Sequence, residues 1–386
     1  MTDLSYIAPP VDRELIKKEL KQKHFLRKTN RGNKEIYITT AHLSPNIMRE
    51  IGRLRELSFA TEGGGTGQEI DIDRYDTLPD PYCCKQLFVW NPEDEEIVGA
   101  YRFIHGTNMM RLEDGSILTP TADQYQFSEK FINEYLPYTV ELGRAFVQPK
   151  YQPSNDMRRG IYSLDNLWDG LGALVLEIPE TRYFYGKITM YGDINPEARD
   201  LILYFYQKHF PDRDGLVWPY ERIDIATDYN RLVRLFNGRN YKEDYQILLH
   251  AVRACGCTVP PLINAYMNLS PSMRSFGTCP NHHLAGTTDT GILINMSDLY
   301  ADKRVRYLES YMEKNPKFDR KRLFRINMKL MPWWRHSSDE EAASLQELSL
   351  MKSLQNERAL LREKDRELKQ ELKKIKKGKG ERRAER

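Results

Sequence analysis

Tyr138-Thr139-Val140-Glu141-Leu142-Gly143-Arg144-Ala145-Phe146-Val147 is the stretch on which the fold turns. It reads as a strand with a glycine inside it, which suggests a bulge or the close approach of another group to the backbone. Upstream, Gln86-Leu87-Phe88-Val89-Trp90, the turn residues Asn91-Pro92-Glu93-Asp94 and the apolar run 97–104 read as an antiparallel hairpin. Further back, Glu35-Ile36-Tyr37-Ile38-Thr39 alternates like a short strand. Ser44 is then expected to cap a helix with Pro45 at its first position and Met48, Ile51, Leu54 and Leu57 at helical spacing. Gly63-Gly64-Gly65 ends that pattern and opens a loop rich in acids: Glu69, Asp71, Asp73 and Asp76. Downstream, 164–178 reads as a helix and 183–190 as a strand. Helical stretches follow at 198–209 and 241–254, and a last strand at 291–296. Helix and strand are mixed and at least one hairpin is present. The class is α/β in the mixed α+β sense, with one central mixed sheet.

Composition excludes several alternatives. The 386 residues are 40% hydrophobic and 29% charged, enough for the core of one large domain or two small ones. No apolar run approaches the roughly 20 residues that span a bilayer. Met1-Thr2-Asp3-Leu4 carries no basic stretch followed by an apolar one, so no secretory signal is expected. Cys83-Cys84, Cys255-Gly256-Cys257 and Cys279 fit neither a disulfide framework nor zinc spacing, which points to reduced thiols in the cytoplasm. The last sixteen residues hold eight basic and three acidic side chains, a surplus of +5 within a net charge of +3. The body is therefore near neutral, and no nucleic-acid partner is expected. The basic tail is a separate electrostatic feature, suited to peripheral contact with an anionic membrane at its inner face.

These shifts divide the chain. Residues 1–33 form a basic N-terminal arm or helix, with Leu15, Ile16, Leu20, Phe25 and Leu26 among lysines. Residues 34–310 form the folded domain, 311–337 a connecting segment, and 338–386 a charged helical tail with a polybasic end. Leu354, Leu361, Leu368 and Ile375 recur every seven residues, but their companion positions are mostly charged. A solvated helix and a weak oligomerisation helix fit that pattern about equally.

The residues alone name no reaction. No phosphate-binding loop, nucleophile elbow or His-Glu-x-x-His pair is present. His282-His283 lacks partners at metal-ligand spacing, so no metal is expected. The informative signal is ionisable residues inside apolar strands: Arg102 in Ala-Tyr-Arg-Phe-Ile, and Glu141 and Arg144 in the opening stretch. Buried charges are costly unless paired, so Arg102 and Glu141 on neighbouring strands are expected to satisfy one another. A purely structural ion pair fits the same residues.

Several blocks occur in order: Ile51-Gly52-Arg53-Leu54-Arg55-Glu56-Leu57-Ser58-Phe59, Gly63-Gly64-Gly65-Thr66-Gly67, Ile70-Asp71-Ile72-Asp73-Arg74-Tyr75-Asp76, Val98-Gly99-Ala100-Tyr101-Arg102, Glu141-Leu142-Gly143-Arg144-Ala145-Phe146-Val147, Leu164-Asp165-Asn166-Leu167-Trp168-Asp169-Gly170-Leu171-Gly172 and 264–278. Together they resemble the GNAT-like N-acyltransferases that make amino-acid lipids, the ornithine- and glycine-lipid enzymes often labelled hemolysins. That family is related to acyl-homoserine-lactone synthases. The resemblance implies a GNAT-like fold whose bulged central strand splays from its neighbour. It implies transfer of an acyl group, commonly 3-hydroxyacyl, from the phosphopantetheine thioester of acyl carrier protein to the α-amine of an amino acid in lipid biosynthesis. The carrier is a donor substrate, and no bound cofactor is implied. The wording of 45–59 and 166–174 is nearest the glycine-using branch.

Carried over residue by residue, the resemblance gives Glu141 the task of orienting the amine and accepting its proton through water. Arg144 would bind a carboxylate or the carrier's phosphate. Asp71 and Asp73 would hold the amino acid's ammonium, and Arg55 and Arg102 would brace that acidic loop. A regular strand puts Glu141 and Arg144 on opposite faces, so a bulge at Gly143 is expected to bring both to the cleft. Coenzyme A-dependent relatives carry a Gly-rich pyrophosphate loop after this strand. Here 148–160 holds one glycine, Gly160, which favours carrier protein. One departure is Asn281-His282-His283-Leu284-Ala285-Gly286-Thr287-Thr288-Asp289-Thr290-Gly291, where the resemblance leads one to expect a more acidic stretch; Asp289 retains one carboxylate. Two alternatives remain at this point: an acetyl-CoA-dependent GNAT acting on a small amine, and a non-catalytic membrane-associated scaffold. The single glycine argues against the first, and intact Glu141, Arg144, Asp71 and Asp73 against the second.

Overall fold

In the computed structural model, which describes residues 3–284 and 286–315, the strand from Thr139 to Val147 lies in the middle of an eight-stranded sheet. The strands are β1 (Phe25–Lys28), β2 (Glu35–Thr39), β3 (Lys85–Asn91), β4 (Glu96–His105), β5 (Thr139–Val147), β6 (Tyr183–Met190), β7 (Arg274–Asn281) and β8 (Thr287–Asn295). They are ordered β1-β2-β3-β4-β5-β6-β8-β7. Neighbours are antiparallel except β5 and β6, which run parallel. A parallel pair needs a crossover, and α3 (Ser163–Glu177), numbered after α1 (Arg13–Glu19) and α2 (Pro45–Thr61), supplies it. With α4 (Pro196–His209) and α5 (Tyr241–Ala254), α3 covers one face: Leu167, Leu171, Phe205 and Leu248 pack with Val140, Leu142, Phe184 and Ile292. On the opposite face α2 covers the first strands through Ile47, Ile51 and Leu54 against Phe88 and Ala100. Tyr75, Phe131 and Phe276 cover the later strands there, around Tyr185 and Leu293.

The alternation reverses within β5. Leu142 packs on the α3 side and Phe146 on the α2 side, although residues four apart share a face in a regular strand. An extra residue must intervene. Ala100 opposes Phe146 and Arg102 opposes Gly143, so Tyr101 faces both Arg144 and Ala145. Arg144 absorbs the bulge with φ of 47°, a left-handed conformation that costs a non-glycine residue about 1–2 kcal/mol. The bulge is therefore at Arg144 rather than at Gly143, which stays in register. Arg144 thereby turns onto the face that carries Glu141, but of the two only Arg144 reaches the cavity described below.

Other expectations move. The packed region begins well before Lys34: Ala8 and Ile16 are buried, Phe25 meets the Tyr37 ring edge-on at 5.5 Å, and β1 extends the sheet. The basic residues that suggested a loose arm lie outside, where Arg13 pairs with Glu96 and Lys17 with Glu95, each at 2.9 Å. Packing also continues past residue 310, with Tyr311 buried. Ser44 precedes α2 but its side chain does not cap it; it accepts from Thr39 Oγ1 at 2.7 Å. The helix start is served instead by the Glu19 carboxylate, which accepts from the N–H groups of Asn46 and Ile47 at 3.1 and 2.9 Å. Strand β7 has no counterpart in the sequence reading. It is an edge strand carrying Gly277 and Pro280, so its pattern is weak. The connecting segment and the charged tail lie outside the described residues apart from 311–315.

Candidate active site

The site forms where β5 and β6 part. Their pairing runs from Thr139↔Tyr183 to Leu142↔Gly186 and stops there. Beyond it a cavity of about 1010 Å³ opens between the strands, at the upper end of the roughly 300–1,000 Å³ usual for small-molecule pockets. Its lining combines apolar side chains, among them Leu164, Leu167, Phe184, Ile263, Tyr266 and Ile294, with the polar and charged Glu62, Arg144, Lys187, Thr189, Asp193 and Asp289.

The acidic loop is fixed against α2 and β4. Asp71 N–H donates to Gly52 O at 3.0 Å, an approach that a side chain at Gly52 would block, since its Cβ would lie 2.7 Å from Ile72. Asp73 and Asp76 then cap each other's backbone around a single helical turn, Arg74–Thr77. This geometry gathers three aspartates onto three arginines. Asp76, fully buried, lies 2.9 Å from Arg55 Nη1 and 3.3 Å from Arg102 Nη1, and accepts from Gln86 Nε2 at 2.9 Å. Burial alone would raise its pKa, but the Arg55 and Arg102 guanidiniums outweigh it and hold the carboxyl well below the usual range. Arg102 Nη1 also lies 2.6 Å from Asp73. Arg144 Nε sits 2.7 Å from Asp71, and its Nη2 lies 3.6 Å from Asp73.

Arg102 and Glu141 thus do not pair. Register puts Arg102 opposite Gly143 and Glu141 opposite Ile104, and the acidic loop captures the guanidinium first. Glu141 is 3% exposed and accepts a hydrogen bond from Thr119 Oγ1. Burial pushes its pKa from 4.5 up to about 7, against the opposing pull of the Thr119 hydroxyl, Lys187 and Arg102. Of the six residues singled out from the sequence, only Arg144 lines the cavity. Glu141, Arg55, Asp71, Asp73 and Arg102 stand behind its wall. Tyr185, the register partner of Glu141, does line it. Its hydroxyl and that of Thr121 are buried beside Glu141.

Sequence reading missed a second constellation. Lys187 Nζ lies 3.1 Å from Asp289 Oδ2 and donates to Gln124 Oε1. Asp289 also accepts from Thr189 Oγ1 at 2.7 Å, Asn281 Nδ2 at 2.8 Å and Gln124 Nε2 at 3.1 Å. The signal was available, because Lys187 interrupts the apolar strand Tyr183–Met190 just as Arg102 interrupts β4. His282 and His283 are exposed and face Glu221 and Asp123. Among the described residues no group of three or more His, Cys, Asp or Glu is placed to hold a metal. None of the helices there is long and apolar enough to cross a membrane.

Residues 54–159 match the family model of the acetyltransferase (GNAT) domain. A glycine N(alpha)-acyltransferase of Phocaeicola vulgatus is 49% identical over 310 residues, which cover 80% of this chain and 94% of the relative. The chain belongs to the N(alpha)-acyltransferase family. Within that family it is more distant from an L-ornithine N(alpha)-acyltransferase of Brucella abortus, at 23% identity over 277 residues, 69% of this chain and 80% of that protein. Among solved structures, a CoA-dependent acyl-homoserine lactone synthase with SAM and isopentyl-CoA is 18% identical over 43% of this chain and 71% of that one, with a TM-score of 0.24. The parted strands and the bulge are those of a chain that carries the GNAT domain, and by identity it is nearer the Phocaeicola vulgatus relative than the Brucella abortus one.

Proposed function

We propose that this acyltransferase moves an acyl group, 3-hydroxyacyl in type, from acyl carrier protein to the α-amine of glycine, as a step in amino-acid lipid synthesis. The observation that carries the reading is the buried Glu141, with a pKa near 7, behind the point where β5 and β6 separate. A base titrating near neutrality suits aminolysis, which must remove one proton from the attacking nitrogen. The amine attacks the thioester carbonyl; a C–N bond forms, the C–S bond breaks, and the carrier's thiol leaves with the proton released by nitrogen. Because Glu141 stands behind the wall, it takes that proton through a water at the Tyr185 hydroxyl. The β6-facing edge of β5 beyond Leu142 is left for the pantetheine arm. Arg144, gripped by Asp71 and Asp73, keeps the bulge that opens this edge, and Arg55 and Arg102 brace the loop through Asp76.

The donor reading is supported by the segment after β5. Its glycine, Gly160, is used for packing: a Cβ there would lie 2.4 Å from Pro153 N, so it does not shape a pyrophosphate cradle. Incubating the purified chain with glycine and either 3-hydroxyacyl carrier protein or the matching acyl-CoA tests both parts by mass spectrometry. N-acylglycine should form, with kcat/KM much higher for the carrier-bound donor. Equal values for the two donors refute the carrier assignment, and absence of N-acylglycine refutes the acceptor. The basic residues of 371–386 would bring the enzyme to an anionic membrane. Equal binding of the full chain and a chain lacking 338–386 to phosphatidylglycerol vesicles at low salt would rule that out.

A further inference from the structure

We propose that Lys187 is the anchor for the α-carboxylate of the amino-acid acceptor, held toward the cleft by Asp289. This rests on the amino-acid acceptor reading above and adds the group that recognises the acid end of that substrate.

Lys187 is the first residue of β6 past its last pairing with β5, so it stands at the opening itself. It follows Tyr185 by two residues in a regular strand, and Tyr185 is the register partner of Glu141. Lys187 and Glu141 therefore share a face. The lysine's field reaches Glu141 and favours its ionised form. An amino acid with its carboxylate at Lys187 would thus present its amine on the Glu141 side.

Among the described residues that line the cavity two are cationic, Arg144 and Lys187, and they are held differently. Arg144 is clasped by Asp71 and Asp73. Lys187 faces one carboxylate, and that carboxylate is shared with three neutral donors, Thr189, Asn281 and Gln124. An ammonium has three N–H bonds. Asp289 and Gln124 take two, and no described residue takes the third, while the side chain keeps 16% exposure toward the cavity. Glu62 and Asp193, which line the same cavity, repel a carboxylate from their positions and leave it to Lys187. The stretch 281–291, which departs from the acidic pattern expected there, thereby gains a use: Asn281 and Asp289 set the lysine's position.

The test compares glycine with glycinamide, which keeps the amine and loses the negative charge, in the wild-type chain and in Lys187→Met, Lys187→Gln and Lys187→Arg. Wild type should prefer glycine, and Lys187→Met or Lys187→Gln should raise the glycine KM about 10- to 100-fold, the worth of one charge-assisted hydrogen bond. The acyl-donor KM should stay within about twofold, since a carboxylate contact is not made to the donor. The preference for glycine over glycinamide should fall toward unity, and Lys187→Arg should restore most of it. If wild type uses glycine but either folded neutral variant keeps its preference, the Lys187 assignment is overturned while the acceptor reading stands. If wild type acylates amines that lack a carboxylate as fast as glycine, both fall.

Discussion

The two charged walls of the cleft bury their charge in different ways. On the β5 wall, Arg55, Arg102 and Arg144 meet Asp71, Asp73 and Asp76, so charge is cancelled by opposite charge. On the β6–β8 wall one lysine meets one aspartate, and Gln124, Thr189 and Asn281 supply the remaining hydrogen bonds. Guanidiniums are planar forks that can bridge two carboxylates, which suits a brace. An ammonium is a compact point charge, which suits a contact made and released with each substrate. The first wall fixes the bulge at Arg144; the second keeps a cation at the opening.

The largest effect should come from breaking the hub of the first wall. Asp76→Ala leaves two buried guanidiniums short of a counter-charge and should cost about 3–5 kcal/mol in urea unfolding. Asp289→Ala strands only one ammonium, which already reaches the cavity, and should cost clearly less. Equal losses would mean that the walls do not differ in this way.

Next in size is the catalytic effect of Glu141→Gln, at a residue of the first wall that no aspartate or arginine of that wall pairs. Turnover should fall about 10²- to 10⁴-fold, the usual contribution of a proton acceptor. Stability at pH 8 should hold or rise, since a buried charge is removed. Normal turnover by the folded variant would take Glu141 out of the mechanism.

A pH titration sharpens the same point. Burial raises the Glu141 pKa from 4.5 to about 7, so between those values the folded state holds a proton that the unfolded chain has released. Stability must therefore fall as pH rises through this window, by about 3 kcal/mol if the full shift is realised. Activity should climb over the upper part of the window as the base ionises. The Glu141→Gln chain should lose this part of the stability slope; an unchanged slope would assign it to other groups. Asp76 has the opposite sign. Its contribution is present above the ordinary carboxylate range and is lost only in strong acid.

How far the sequence disclosed this follows from the kind of signal each part leaves. β3, β4, β5 and β6 are mostly apolar runs of seven to ten residues, and their limits are readable to within a residue or two. β1 was hidden because its four residues, Phe25-Leu26-Arg27-Lys28, are too few to show an alternation and the one that is buried is an arginine. β7 was hidden because an edge strand tolerates Gly277 and Pro280. A charge inside an apolar strand did point to the site at Arg102, Glu141 and Arg144. It could not give partners, because those depend on register: one bulged residue and a loop 26 to 29 residues away in sequence decided that Arg102 meets Asp73 and Asp76 rather than Glu141. Lys187 gave the same signal and was passed over because its partner, Asp289, is about a hundred residues distant.

The smallest effect separates the walls at one hydrogen bond. Thr189 Oγ1 donates to Asp289 Oδ1 at 2.7 Å, so it draws part of the carboxylate's charge away from Lys187. Thr189→Val removes that donor while keeping a β-branched shape in β6. The fold should lose about 1 kcal/mol, the usual net worth of one hydrogen bond. The more telling change is in the acceptor's KM. With one donor fewer, Asp289 should grip Lys187 harder, and the glycine KM should rise a few-fold with the acyl-donor KM unmoved. The matching change on the other wall is Gln86→Met, which takes from Asp76 its neutral donor and from Arg55 its neutral acceptor. That change should cost more stability, about 1–3 kcal/mol for buried groups left unpaired, yet leave the glycine KM where it was. If the two variants shift the glycine KM alike, the second wall is no more a substrate contact than the first.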